Sequence, residues 1–272
     1  MSTDILTRNN VKVFGKGTRP MLFAHGFGCD QNMWRFVAAA FENDYKIVLF
    51  DFVGSGKSDP SAFNVDRYSN LNGYVEDLLE VIHALNLEDT ILVAHSVSGM
   101  IGLLAANREP ELFRKLIMIG PSPRYINDGA YTGGFETQDI EELLDTMDRN
   151  YIGWANFLGP VIMGNADRPE LAGELTASFC STDPVKARHF AKATFYADNR
   201  ADLPGMQVPS LILQCTDDMI APLEVGHYVH ANMPGSSLRI LAATGHCPHL
   251  SAPDETIAEM KRYLHTSASS AR

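Results

Sequence analysis

The chain is poor in cysteine and in positive charge, and it has no long apolar run. Its four cysteines, Cys29, Cys180, Cys215 and Cys247, include no C-x-x-C pair, which argues against a zinc ribbon or a thioredoxin-type motif. Free thiols in a reducing compartment are expected, because disulfides are rare in the cytosol. Lys and Arg total 22 against 33 Asp and Glu, a net charge of -11. So acidic a chain has no general affinity for nucleic acid or for an anionic membrane surface. No stretch approaches the ~18 apolar residues of a membrane span. The opening MSTDILTRNN is polar where a secretory leader needs an apolar core. The expected location is the cytoplasm. The terminal HTSASSAR is small and polar and is expected to fray.

What is present is an alternation. MLFAH (21–25), KIVLF (46–50), TILVAH (90–95), KLIMIG (115–120), SLILQC (210–215) and SLRILA (237–242) are short apolar runs bounded by turn residues. They read as buried strands. Amphipathic stretches lie between them, near 32–41, 72–86, 98–107, 223–233 and 254–264. Strand alternating with helix predicts an α/β fold, with a mostly parallel sheet covered by helices on both faces. From Pro121 to about Asp202 no strand is convincing. Helical pieces at 136–150, 151–163, 168–180 and 184–197 take its place, two of them opened by Arg168-Pro169 and Asp183-Pro184, with proline at the first helical position. The expected organisation is a core of residues 1–121 and 202–266 with a helical lid, 122–201, over the crevice at the strand ends.

The stretch DFVGSGKS (51–58) ends like a phosphate-cradling loop. A Walker A loop needs G-x-x-x-x-G-K-[ST], and its first glycine would fall on Asp51. The loop should also run into a helix, whereas Asp59-Pro60 follows, and a pre-proline residue disfavours helix. Nucleotide binding is therefore not the expected role.

ILVAHSVSGMIG (91–102) is more informative. A buried strand ends, Ser96 stands at the turn, and a helix of small and apolar residues begins. Taken alone, Ser96 also reads as a common helix cap. The strand–turn–helix context instead fits a nucleophile elbow, small-x-Ser-x-small, with Ala94 and Ser98 where glycine is usual. Such an elbow exposes the hydroxyl and sets the Val97 N–H at a helix N-terminus, where a developing oxyanion is stabilised. His95, beside it, reads as a pocket-wall or packing residue.

A serine needs a base, and the base needs an orienting carboxylate. After SLILQC comes Thr216-Asp217-Asp218-Met219-Ile220-Ala221-Pro222. Of the two acids Asp218 is preferred, since it makes the D-x-x-x-P spacing. After SLRILA comes Gly245-His246-Cys247-Pro248-His249. His246, nearest the strand end, is the expected base, and His249 is expected to be structural. Chain order is then Ser96, Asp218, His246. HGFG (25–28), after an early strand, would supply a second oxyanion donor, the Phe27 N–H.

With HGFG, DxxGxGxS, the serine elbow, D-x-x-x-P and the GH loop in order, the chain resembles the α/β-hydrolase fold. In that fold DFVGSGKS is a structural turn and Lys57 a surface residue. FAHGFGCDQNMW, LFDFVGSGKSD, AHSVSGMIGLLAA, IGPSPRYIND, NYIGWA, FCSTDP and GHCPHLSAPDE narrow the resemblance to an RsbQ-like subfamily. That group joins the bacterial stress-response regulator RsbQ with the plant strigolactone and karrikin receptors. The resemblance implies a buried apolar pocket under a four-helix lid. By position, Phe27, Phe135, Trp154, Phe157, Phe190 and Phe195 are candidates to line it, about half of them touching ligand and the rest packing the lid, with His95 on the wall. It further implies slow hydrolysis of a small apolar ester or lactone and a signalling phosphatase as protein partner. No metal or organic cofactor is expected. A fast metabolic carboxylesterase would carry the same residues, so both readings stand on sequence. A haloalkane dehalogenase is excluded, because its elbow needs an aspartate.

Overall fold

The computed structural model describes residues 4–266, so the expectation for the tail beyond Thr266 lies outside the described residues. Among the described residues seven strands form one sheet: β1 (Lys12–Phe14), β2 (Pro20–Ala24), β3 (Lys46–Leu49), β4 (Thr90–His95), β5 (Phe113–Ile119), β6 (Ser210–Asp217) and β7 (Ser236–Thr244). Their order is β1-β3-β2-β4-β5-β6-β7, with β1 antiparallel to β3 and the other pairs parallel. The six runs read from sequence are all strands. β1 is an addition: its three residues KVF are all exposed and too short to show alternation.

The helices are α1 (Ile5–Arg8), α2 (Arg35–Ala39), α3 (Leu71–Ala84), α4 (Val97–Arg108), α5 (Thr137–Arg149), α6 (Tyr151–Met163), α7 (Pro169–Ser181), α8 (Pro184–Phe195), α9 (Leu223–Asn232), α10 (Pro248–Ser251) and α11 (Pro253–Thr266). Among the described residues, none is long and apolar enough to cross a membrane. The helix expected at 32–41 is a 3-10 turn over Gln31–Trp34 that runs into α2. Proline opens α7 and α8, and Asp183 caps α8 by accepting from the Val185 and Lys186 N–H groups.

Alternate residues of each central strand face opposite layers. Leu22, Ala24, Leu92, Ala94, Leu116 and Met118 pack with the apolar faces of α3 and α4. Met21, Phe23, Ile91, Val93, Ile117 and Ile119 pack with α2 and α11. Burial on both sides is why these strands read as continuous apolar runs. α5 to α8 lie between β5 and β6 in sequence and build a third apolar cluster around Trp154, Leu158, Leu175 and Phe179.

The DFVGSGKS turn supplies its own anion. The buried Asp51 carboxylate accepts from the Gln31 N–H at 2.9 Å, the Lys57 N–H at 2.9 Å and the Asn10 side chain at 2.7 Å. A side chain at Gly56 would stand 2.5 Å from that carboxylate, so the chain must be bare there. The Lys57 side chain points to solvent.

Next to this turn, Asp77 of α3 is fully buried and gathers five donors. They are the Val53 N–H (2.9 Å), the Tyr68 hydroxyl (2.7 Å), the Asn9 amide (3.3 Å) and the guanidinium groups of Arg8 (3.3 Å) and Arg67 (3.1 Å). One carboxylate thus ties the N-terminal segment, the turn after β3 and the approach to α3. Replacing it leaves the buried Val53 N–H, the Tyr68 hydroxyl and the Asn9 amide without their shared acceptor, and leaves Arg8 and Arg67 only the part-exposed Glu80 and Glu76 as counter-charges. Asp77→Ala is expected to cost roughly 3–5 kcal/mol, read as a lower urea midpoint at unchanged slope in equilibrium unfolding.

Candidate active site

The site lies at the C-terminal edge of the parallel strands, the position where open α/β sheets bind ligands. Ser96 follows β4 directly and adopts φ 57°, ψ -126°. That left-handed region is unfavourable for a side-chain-bearing residue. The Ser96 N–H donates to the Ile119 carbonyl of β5 at 2.8 Å, and its own carbonyl accepts from Gly99 N–H at 2.8 Å. The backbone is therefore held on both sides, and α4 begins at the next residue, Val97.

Asp218 stands one residue beyond β6. Its Oδ1 accepts from the Ile220 N–H (2.8 Å) and the Ala221 N–H (3.1 Å), which is what the D-x-x-x-P turn provides. Its Oδ2 lies 2.7 Å from His246 Nδ1. Asp217 is exposed, so the structure brings Asp218 and not its neighbour to the histidine. A carboxylate accepts, so Nδ1 carries the proton. His246 Nε2 is then the bare nitrogen, and it accepts from the Ser96 hydroxyl at 2.7 Å. All three side chains are buried. A Cβ on Gly120, at the end of β5, would come within 3.2 Å of the His246 ring and 3.5 Å of the Asp218 carboxylate. Only glycine leaves that space free for the pair.

The loop carrying His246 is tied to the inserted helices as well as to the sheet. The His246 N–H donates to the Ile162 carbonyl of α6 at 2.8 Å. Its carbonyl accepts from His95 Nε2 at 2.8 Å. His95 thus turns away from the serine and braces the histidine loop.

A narrow, largely enclosed cavity adjoins the Ser96 hydroxyl. Its wall includes Phe27, His95, Phe195 and His246. It also includes residues that sequence reasoning missed: Cys29, Tyr125, Ile162, Leu175, Ile220 and Cys247. Tyr125 is the most consequential of these, since its hydroxyl lies 3.3 Å from Ser96 Oγ in a buried position. With the serine proton directed to His246, Tyr125 is the donor in that contact. The available signal was its place on the loop after β5, at the same sheet edge as Ser96.

The remaining candidates lie elsewhere. Trp154 is buried against Phe27, Phe179 and Tyr151 and packs the helical layer. Phe190 stacks on Tyr74 at 4.1 Å and lines a separate small recess beside Phe27. Phe135 is half-buried and meets Phe195 edge to face, 6.4 Å between centroids. Phe157 corrects the expectation outright: it is 69% exposed on the outer face of α6 and cannot line an interior pocket.

Comparison with known proteins finds a family and several relatives that this chain is similar to. The profile of a family described as Alpha/beta hydrolase family matches residues 21–259. Strigolactone esterase RMS3 of Pisum sativum is 41% identical over 255 residues, 93% of this chain and 95% of that protein. Karrikin insensitive 2 receptor CA of Petunia hybrida is 36% identical over 258 residues, covering 94% and 96%. Among solved structures, a hydrolase from Oleispira antarctica is 44% identical with a TM-score of 0.94, covering 96% of each chain.

Two histidines behind the site carry a pH signature. His249 packs on Trp34 at 4.7 Å and on His95 at 4.4 Å between ring centroids. Burial holds His95 well below the ordinary imidazole range. Burial, with the neighbouring His246 and Arg35, lowers His249 to about 3. Both rings stay neutral in the folded chain but take up protons near pH ~6.5 once unfolded. The unfolded state therefore binds more protons on acidification. Their contribution to stability is complete above about pH 6.5 and is lost below it by roughly 1.4 kcal/mol per pH unit for each ring. His249→Phe, which keeps the stacking on Trp34, is expected to flatten that slope by about one ring's share. Urea unfolding between pH 7 and 4.5 measures it.

Proposed function

The chain belongs to the alpha/beta hydrolase family, and from that premise we propose that it hydrolyses small apolar esters or lactones by two-step acyl transfer through Ser96. The observation that carries this reading is the pair of 2.7 Å contacts running from Ser96 Oγ through the His246 ring to Asp218. In the first step Ser96 Oγ forms a bond to the carbonyl carbon, and its proton passes to His246 Nε2. Asp218 stabilises the imidazolium. The amides of Phe27 and Val97 hold the oxygen that becomes negative. Collapse breaks the ester C–O bond, and the departing alkoxide takes the proton from His246. In the second step His246 takes a proton from water and the hydroxide adds to the acyl carbon; the bond from that carbon to Ser96 Oγ then breaks, His246 returns the proton to Oγ, and the acid product leaves. In a lactone the alkoxide remains tethered to the acyl group. The residues present need no metal or organic cofactor for these steps.

In this reading 122–201 act as a lid over the core of 1–121 and 202–266. Support comes from the apolar cluster of α5 to α8, which reaches Cys29 and Cys247 beside Ser96. The similarity to a strigolactone esterase and a karrikin receptor favours a small-molecule sensor over a metabolic esterase. The RsbQ-like motifs NYIGWA and FCSTDP extend the proposal to stress signalling in the cytoplasm through a phosphatase partner. A metabolic carboxylesterase would turn over its ester at ordinary rates, of order ten per second; a sensor turns over far more slowly.

Ser96→Ala is expected to abolish labelling by a fluorophosphonate probe and to lower p-nitrophenyl acetate hydrolysis by ~10⁴-fold or more, with the circular dichroism spectrum unchanged. Full labelling of that variant would show that another residue is the nucleophile.

A further inference from the structure

Ser98 stands where this kind of elbow usually has glycine, and the acyl transfer proposed above makes no use of its hydroxyl. We propose that Ser98 is a positioning residue: it locks the His25–Gly28 turn to the nucleophile helix, so that the Phe27 and Val97 amides converge on one oxygen. This rests on the hydrolase reading.

Ser98 is wholly buried in the first turn of α4, and its hydroxyl donates to the His25 carbonyl. A carbonyl only accepts, so the direction of that bond is fixed. His25 is itself immobilised. Its Nδ1 donates to the Gly26 carbonyl at 2.9 Å, and its Nε2 accepts from the Phe52 N–H at 3.2 Å. The Gly26 carbonyl also takes the Cys29 N–H at 3.3 Å, and the Gly28 carbonyl takes the Ser178 hydroxyl at 2.7 Å. The carbonyls of His25, Gly26 and Gly28 are thus each held by a donor, but the donors come from different places. Those on Gly26 belong to the turn, and the one on Gly28 belongs to α7. Ser98 reaches the turn from the element that carries Ser96.

That origin matters because the two proposed oxyanion donors sit on different loops, after β2 and after β4. An oxyanion hole acts only when both N–H groups lie ~2.7–3.1 Å from the developing charge. A hydrogen bond between the two loops removes their freedom to slide past each other. Removing it leaves both amides in place but lets their separation drift. The neutral carbonyl of a bound ester draws little from the hole, whereas the tetrahedral anion draws a great deal. The loss should therefore appear in kcat and not in KM.

The test compares wild type with Ser98→Ala and Ser98→Gly. It reads kcat and KM for p-nitrophenyl acetate, the Ki of an aryl trifluoromethyl ketone, which forms an anionic adduct on a nucleophilic serine, and fluorophosphonate labelling of Ser96. Both variants should lose ~10-fold in kcat, less than the 10²–10³ of outright donor removal. KM should stay within about twofold, and the ketone Ki should rise by the same ~10-fold as kcat falls. A purely structural role would lower the melting temperature without moving the ketone affinity. Glycine, the usual residue here, carries the comparison should the alanine variant fold poorly. A ketone Ki within about twofold of wild type overturns the assignment, provided that wild-type Ser96 is labelled. A wild type that the probe does not label overturns the hydrolase reading itself.

Discussion

Everything at this site is referred to one strained backbone position. Ser96 at φ 57° occupies a conformation that costs of order 1–3 kcal/mol for a residue with a side chain. The chain keeps it because the alternatives are closed off. The Ser96 N–H is committed to β5, and the helix that follows is pressed against the sheet so closely that a Cβ on Gly99 would stand 2.9 Å from Pro121. A relaxed Ser96 would have to withdraw α4 from its packing on Leu92 and Leu116. The strain is what lifts the hydroxyl clear of the sheet edge and delivers it to His246.

The partners reach the hydroxyl because parallel strands end along one edge. Asp218 and His246 are far apart from Ser96 in the chain but follow β6 and β7, which lie on the same side of β4. The inserted helices complete the arrangement. α6 holds the His246 backbone, and the Arg35 guanidinium meets Glu174 of α7 in a two-point pair at 2.6 and 2.8 Å. The Phe27 ring lies between the two layers, touching Trp154, Phe179, Phe190 and Phe195 at centroid distances of 5.5–6.2 Å. A displacement of the helical layer therefore acts directly on the turn that bears Phe27 and on the histidine loop.

Much of this was legible in the residues, for identifiable reasons. Strands covered on both faces show as unbroken apolar runs, so β2 to β6 could be read; β7 is largely exposed or half-buried and was legible only as a short apolar run between turn residues. Proline at a helix start marks α7 and α8. D-x-x-x-P marks Asp218 because Pro222 leads into α9 while the turn before it feeds two N–H groups to the carboxylate. Legibility fails where a direction is set by tertiary packing. α6 reads YIGWANFLGPVIM, apolar on nearly every side, so its sequence cannot say that Trp154 faces inward and Phe157 outward. Tyr125 lies in an irregular loop whose path depends on contacts distant in the chain. β1 buries none of its three side chains and leaves no periodic trace.

The chemistry of the cavity wall bears on what can enter. Burial raises the Cys29 and Cys247 thiols and keeps them protonated, and it lowers His95, which stays neutral. Asp218 is engaged with His246 and two backbone N–H groups and offers no spare charge. The rest of the wall is aliphatic or aromatic, with Tyr125 and Thr194 as neutral polar groups. An ionised guest would lose its hydration there and meet no counter-charge, a penalty of several kcal/mol. An uncharged ester or lactone loses little on entry. In the proposed reaction it would acquire charge only as Ser96 added to it, at the point where backbone N–H groups are proposed to receive that charge. On that proposal, a wall without fixed charge and a hole that answers only to the transition state would select for the same kind of molecule.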